Sequence, residues 1–144
     1  APTSGVSGMA VTYPKMDEWL RNQSKSVLTE RSARTKSGRL ARISFDANDR
    51  SSVGAAQRYA KNMPIQGTSA DILKRALRLL HDDLRGTSGK LVNIVHDEII
   101  VECDKAEADE TVKKLASAML TAGQEFVGKV PIKVDIHTAD EWSK

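Results

Sequence analysis

The chain has 144 residues, enough for one compact domain with a real core, and its 40% hydrophobic content is that of a soluble globular protein. Aromatic residues make up only 4% and are scattered as Tyr13, Trp19, Phe45, Tyr59, Phe126 and Trp142, which argues against the clustered rings of a single-strand stacking platform. The lone Cys103 excludes an intramolecular disulfide and a cysteine-rich zinc site, and no stretch approaches a transmembrane span or a signal-peptide core, so a reducing, cytoplasmic compartment and no membrane partner are expected.

The net charge is +3, but its distribution is uneven. Residues 31–61 hold eight basic side chains against two acidic ones, whereas from residue 95 onward eleven acidic residues face six lysines. A phosphate-gripping surface beside a metal-gripping one would look like this. So would a solvated basic loop.

In chain order, residues 1–12 are small and unpatterned, as in a flexible lead-in or an expression remnant. Tyr13-Pro14 opens a helix predicted to run through about Thr29, with Met16, Trp19, Leu20, Val27 and Leu28 apolar. Ser37-Gly38 reads as a turn, Leu40–Phe45 as a short strand, and Asp46–Ser52 as a polar loop. A helix follows from Ser52 to Asn62, which Pro64 should interrupt, with Gly67 permitting a turn. Ile72, Leu73, Ala76, Leu77, Leu80 and Leu84 then give a helix over Thr68–Leu84 a clean apolar face, opposite Lys74, Arg75, Arg78 and Asp82. The segment Lys90–Cys103 reads as a hairpin apolar on both faces, hence covered on both sides. Cys103 is in phase with Ile99 and Val101 and reads as a small core residue. Asp104 with Glu107 resembles a capping box for a helix whose stripe is Val112, Leu115, Ala116, Met119 and Phe126. Val130, Ile132, Val134 and Ile136 alternate with polar residues as a half-buried strand. This order predicts an α+β fold in which a three-stranded antiparallel sheet, including the hairpin, packs on helices.

Two patterns carry chemistry. Val95-His96-Asp97-Glu98 sits between the apolar runs Leu91–Val95 and Ile99–Val101, leaving almost no loop, so Asp97 and Glu98 fall at a hairpin tip where carboxylates can hold a divalent cation. The plainer reading is a polar turn. Upstream, Arg58-x-x-x-Asn62-x-x-x-Gln66 aligns three hydrogen-bonding side chains along one helical face. Arg58 also reads as a solvated helix charge and Asn62 as the end of a helix, whereas Gln66, between a proline and a glycine, has little helical role.

These residues resemble a family. Asn62-Met63-Pro64-Ile65-Gln66-Gly67-Thr68-Ser69-Ala70-Asp71-Ile72, within Tyr59–Ala76, is similar to a segment of the family A DNA polymerases, the DNA polymerase I type. Val95-His96-Asp97-Glu98 resembles that family's third catalytic motif, and the likeness extends over Tyr13-Pro14, Ser37-Gly38-Arg39-Leu40 and Asp140-Glu141-Trp142, in family order across residues 13–144.

The resemblance implies that Asp97 is one of two aspartates ligating Mg2+ for nucleotidyl transfer, that Glu98 supports the site, and that His96 lies beside the primer-terminal nucleotide. It implies that Arg58, Asn62 and Gln66 line the minor groove of a DNA primer-template duplex, where acceptors common to every base pair suit a protein that checks pair geometry without preferring a sequence. The family's first catalytic motif, with the other aspartate, is not found, nor is the fingers helix that holds the incoming dNTP; Gly8-Met9-Ala10 only faintly echoes its tail. The expectation is therefore a C-terminal palm fragment of a DNA-directed DNA polymerase over residues 13–144, inactive alone, with a two-metal site completed only by a missing N-terminal polymerase portion. Alternatives are a non-catalytic DNA-binding module derived from a palm and a polymerase-derived domain with a structural role.

Overall fold

Pro14 suits the first turn of a helix because its fixed φ is helical and its missing amide is one that no helical carbonyl would have accepted. The computed structural model describes residues 12–142, and in it helix α1 spans Pro14–Glu30. The expected lead-in, Thr12 apart, and Gly8-Met9-Ala10 lie outside the described residues. Arg31 ends α1 in the left-handed region at φ 49°, donating its amide to the Val27 carbonyl at 3.0 Å. Its guanidinium sits 4.2 Å from the centre of the Phe45 ring and donates to the Phe45 carbonyl at 2.9 Å.

Strands β1 (Ser32–Arg34) and β2 (Leu40–Arg42) form an antiparallel hairpin with Ala33 opposite Ala41. The turn expected at Ser37-Gly38 is present, with Gly38 at φ 87°, a conformation open to glycine at no steric cost. The strand expected over Leu40–Phe45 is shorter, and its partner β1 carries no alternation long enough to announce it in the sequence.

Helix α2 spans Arg50–Asp83. Asp49 starts it by accepting the Ser51 and Ser52 amides at 3.0 and 3.2 Å. The break expected at Pro64 does not occur; the helix continues past it. Proline still removes one backbone bond and crowds the preceding turn, at a cost of about 3 kcal/mol in a helix interior. Burial of Ala56, Ala60 and Met63 before Pro64, and of Ala76, Leu80 and Leu84 after it, holds the helix on both sides. Nor does Gly67 make a turn. A Cβ there would stand 2.6 Å from Thr35 Cγ2, so the glycine serves close packing.

The chain divides into two compact units, residues 1–67 and 68–144, and α2 contributes to both. In the first, Val27, Ala33, Ile43, Ala56, Ala60 and Met63 form the core, with Ala41 and Phe45 packed on it. In the second, β3 (Lys90–Val95) and β4 (Glu98–Glu102) form an antiparallel hairpin. It is followed by a 3-10 turn at Lys105–Glu107 and helix α3 (Ala108–Val127). The core here is Ala76, Leu80, Leu84, Ile99, Ala118 and Ala122. The apolar face predicted for Thr68–Leu84 is the face that is buried. On α3, Leu115 and Met119 pack inward as expected, but the buried line runs through Thr111, Ala118, Ala122 and Gly123.

Three further expectations are corrected. The strands among the described residues form two separate two-stranded sheets, not one three-stranded sheet. Residues 130–136 keep their alternation, with Ile132, Val134 and Ile136 half-buried, yet join no ladder. Ile132 lies on Gly123, where a Cβ would stand 2.9 Å from its Cδ1, so the segment buries its apolar side without pairing as a strand. Secondly, the β3–β4 hairpin is not covered on both sides: Val92 and Ile94 are 50% and 44% exposed. A register shift between Leu91 and Asn93 leaves Val92 as the extra residue of a bulge, which turns it outward. Thirdly, Asp104 and Glu107 make no capping box. The Ser88 hydroxyl donates to the Glu107 carboxylate, the Ser88 amide donates to it at 2.7 Å, and the Asp104 amide donates to Ser88 Oγ at 3.0 Å. Those bonds clamp the base of the hairpin.

Candidate functional site

Arg58, Asn62 and Gln66 lie one turn apart on α2, and all three are exposed. The opposite face of the same helix is buried at Ala56, Ala60 and Met63, so core packing dictates which side these polar residues present. Eight helical residues rise about 12 Å, comparable with three to four base steps at roughly 3.4 Å each. The Arg58 guanidinium lies back along the helix, with Nη1 3.4 Å from where a Cβ on Gly54 would sit. Beside it, Arg42, Ser44, Ser52 and the half-exposed Tyr59 help to line a groove of ≈ 350 Å³.

The basic segment is a folded hairpin and helix start rather than a loose loop. Arg31, Arg34 and Arg39 each donate to a backbone carbonyl, on Phe45, Gly38 and Gly67 respectively. A carbonyl fixes a guanidinium without cancelling its charge, as at Arg31 and Arg34.

In the second unit, His96 and Asp97 form the two-residue connection between β3 and β4, with Val95 opposite Glu98. His96, Asp97 and Glu98 are all exposed at this tip. His96 takes φ 55°, a conformation that costs a non-glycine residue roughly 1–2 kcal/mol and that the paired strands impose. Two neighbouring carboxylates are hard oxygen donors of the kind magnesium prefers. Among the described residues no cluster of three or more His, Cys, Asp or Glu stands ready to hold a metal. The tip thus fits magnesium in the nature of its donors and provides only part of their number.

The ordinary carboxylate range is left by Glu107 and Glu125. Hydrogen bonds from the Ser88 hydroxyl, then its amide, hold Glu107 low, and the Arg75 guanidinium does the same for Glu125, which it meets in a paired contact at 2.8 and 3.1 Å. Both are structural ties. Sequence reasoning missed the contacts of Thr35 and Arg39 with Gly67, which join the first hairpin to α2, and the Ser88–Glu107 clamp; the sequence signal for the first was a glycine beside Gln66. No helix among the described residues is long and apolar enough to cross a membrane.

The mixed α/β fold is similar to part of a polymerase domain. It resembles the POL domain of Pol1 from M. smegmatis, in complex with DNA primer-template and dNTP, with a TM-score of 0.74 and 27% identity, over 78% of this chain and 20% of that one. Residues 7–144 match the model of DNA polymerase family A, and the chain belongs to that family. DNA polymerase I of Aquifex aeolicus is 46% identical over 87 residues, covering 59% of this chain. The DNA polymerase of Bacillus phage SP01 is 34% identical over 83% of it, and the thermostable DNA polymerase I of Thermus thermophilus is 30% identical over 91%. The chain spans only 15%, 14% and 16% of these three relatives.

Proposed function

We propose that this chain is the C-terminal palm portion of a DNA-directed DNA polymerase, bearing the third catalytic motif and half of the metal site. The observation that carries the reading is the two-residue hairpin that exposes Asp97 and Glu98 in a chain of this family. Asp97 would hold magnesium, and Glu98, the first residue of β4 and opposite Val95, would support it. Bound there, magnesium supplies positive charge for the attacking 3′ oxygen and the leaving pyrophosphate. His96 lies against the primer-terminal nucleotide. Arg58, Asn62 and Gln66 offer donors to the minor groove of the primer-template duplex, whose acceptors are common to every base pair. The second aspartate and the grip on the dNTP come from a polymerase portion beyond these motifs, so the chain by itself is inactive. A second reading, a DNA-binding module without catalysis, draws on the short donor set at the tip.

Both are tested by mixing the purified chain with a partner carrying the aspartate strand and the fingers helix. Magnesium-dependent primer extension is expected in the mixture and not from the chain alone. Asp97→Ala should reduce extension by on the order of 10³-fold, the scale of removing one charge-stabilising group. Extension indifferent to that change would remove Asp97 from the reaction. Duplex binding without any restored extension would favour the binding module, and extension by the chain alone, lost in Asp97→Ala, would overturn its inactivity.

A further inference from the structure

Asn62 and Gln66 flank Pro64, so the spacing between them is set by the one turn of α2 that lacks a backbone donor: residue 64 has no amide to offer the Ala60 carbonyl. Against that turn stands the tip of the first hairpin. The Arg39 Nη2 donates to the Gly67 carbonyl at 3.1 Å. Thr35, buried, comes so close that a Cβ on Gly67 would lie 2.6 Å from its Cγ2, and Met63 Cε would lie 3.5 Å from the same point. The hairpin tip is itself held in shape: Thr35 Oγ1 accepts the Arg39 amide at 3.2 Å and shares a hydrogen bond with Ser37 Oγ at 2.8 Å. A polar tip with its own internal bonds therefore grips the helix one residue beyond Gln66 and three beyond Pro64.

We propose that Thr35, Arg39 and Gly67 form a brace that positions Gln66 for its duplex contact. They are positioning residues; none needs to touch DNA for this role. The inference rests on the DNA-facing reading of Gln66, and the two fail in different ways. Gly67→Ala forces the brace apart, because the added carbon meets Thr35 Cγ2 well inside van der Waals contact. Thr35→Ser removes that methyl while keeping the hydroxyl that shapes the turn, so it makes room for the alanine.

The test is duplex binding by the full chain at several salt concentrations, together with amide hydrogen exchange at Gln66 and Gly67. Gly67→Ala should lose affinity roughly tenfold, the scale of one groove hydrogen bond, with an unchanged salt slope. Its exchange at these two amides should accelerate, and Thr35→Ser in the same chain should restore both. Combined with Gln66→Ala, it should cost nothing further, since both changes remove one contact. Arg39→Lys, at an exposed position where it adds no atom to the packed contact, keeps the charge and loses the fork, and should show the same faster exchange and weaker binding at an unchanged slope. Unchanged exchange in both Gly67→Ala and Arg39→Lys, or a loss that adds in full to that of Gln66→Ala, would overturn the brace. A wild-type chain that binds no duplex defeats the DNA-facing reading of Gln66 and, with it, the brace's purpose, even where exchange shows the contact to be real.

Discussion

Each core holds three alanines among its six buried residues, but around them the first unit packs Ala41 and Phe45 and the second packs eight larger apolar residues, Leu73, Leu77 and Leu115 among them. Small residues bury little area each, and their value is that they let a hairpin approach a helix closely; the polar contacts of Arg31, Thr35 and Arg39 then fix it. Large aliphatic residues bury area directly, at roughly 25 cal/mol per Å². The charge differs in the same way, +6 through Gly67 and −3 from Thr68. The first unit should be intolerant of added atoms, and the second of removed ones. One offers donors on a rigid helix; the other offers carboxylates on a short ribbon whose outer face at Val92 and Ile94 is bare.

The largest test of that contrast is Leu80→Ala. Leu80 is wholly buried, and its truncation should cost about 2–5 kcal/mol, read as a fall in the denaturant midpoint. A cost below about 1 kcal/mol would mean that apolar area is not what holds the second unit. Next in size is the salt response of the basic unit. Duplex affinity should fall with a log-log slope of about −3 to −5, as for three to five neutralised phosphates. Arg58→Ala should weaken binding, and binding indifferent to both Arg58→Ala and Gln66→Ala would leave only unspecific attraction. Ala60→Val follows, with an expected loss of about 1–3 kcal/mol from overpacking the close helix–hairpin contact. A stabilised variant would show a cavity where the contrast requires contact.

What could be read in advance follows from what periodicity measures. The face of Thr68–Leu84 was legible because a helix must keep apolar residues at i and i+4 to face one core. The hairpin tip at Asp97 was legible because two apolar runs left no residues for a longer loop. The alternation at 130–136 reported burial correctly and pairing wrongly, since it records which side meets a core and nothing about whether a neighbouring strand offers backbone groups. Pro64 and Gly67 were read by local rules, which tertiary contacts at Met63 and Thr35 overrode. Asp104 and Glu107 matched a capping pattern, but Ser88, far away in the chain, intercepts both. Of the candidate site, the one-sided display of Arg58, Asn62 and Gln66 was legible, and the brace behind it was not, because it joins residues 28 apart.

The smallest effect concerns that Ser88–Glu107 clamp, and its sign follows from the proton. Hydrogen bonds from Ser88 favour the ionised Glu107, so its folded pKa lies below the ordinary 4.5. A carboxyl held low contributes stability that is present above its unfolded pKa and is lost as pH falls through the folded one. At neutral pH the wild-type chain should therefore melt above Glu107→Gln, and the gap should close as pH drops below about 4.5. Glu125, lowered by Arg75, would sharpen the acid loss in both chains equally and so cancels from the comparison. Because Ser88 ties the base of the β3–β4 hairpin to the turn before α3, Glu107→Gln should also speed amide exchange in β3 and β4 while leaving β1 and β2 unchanged. A melting gap that persists at pH 3 would mean that Glu107 stabilises the hairpin by packing rather than by its charge, and exchange that rises equally in both hairpins would show the two units to be one cooperative body.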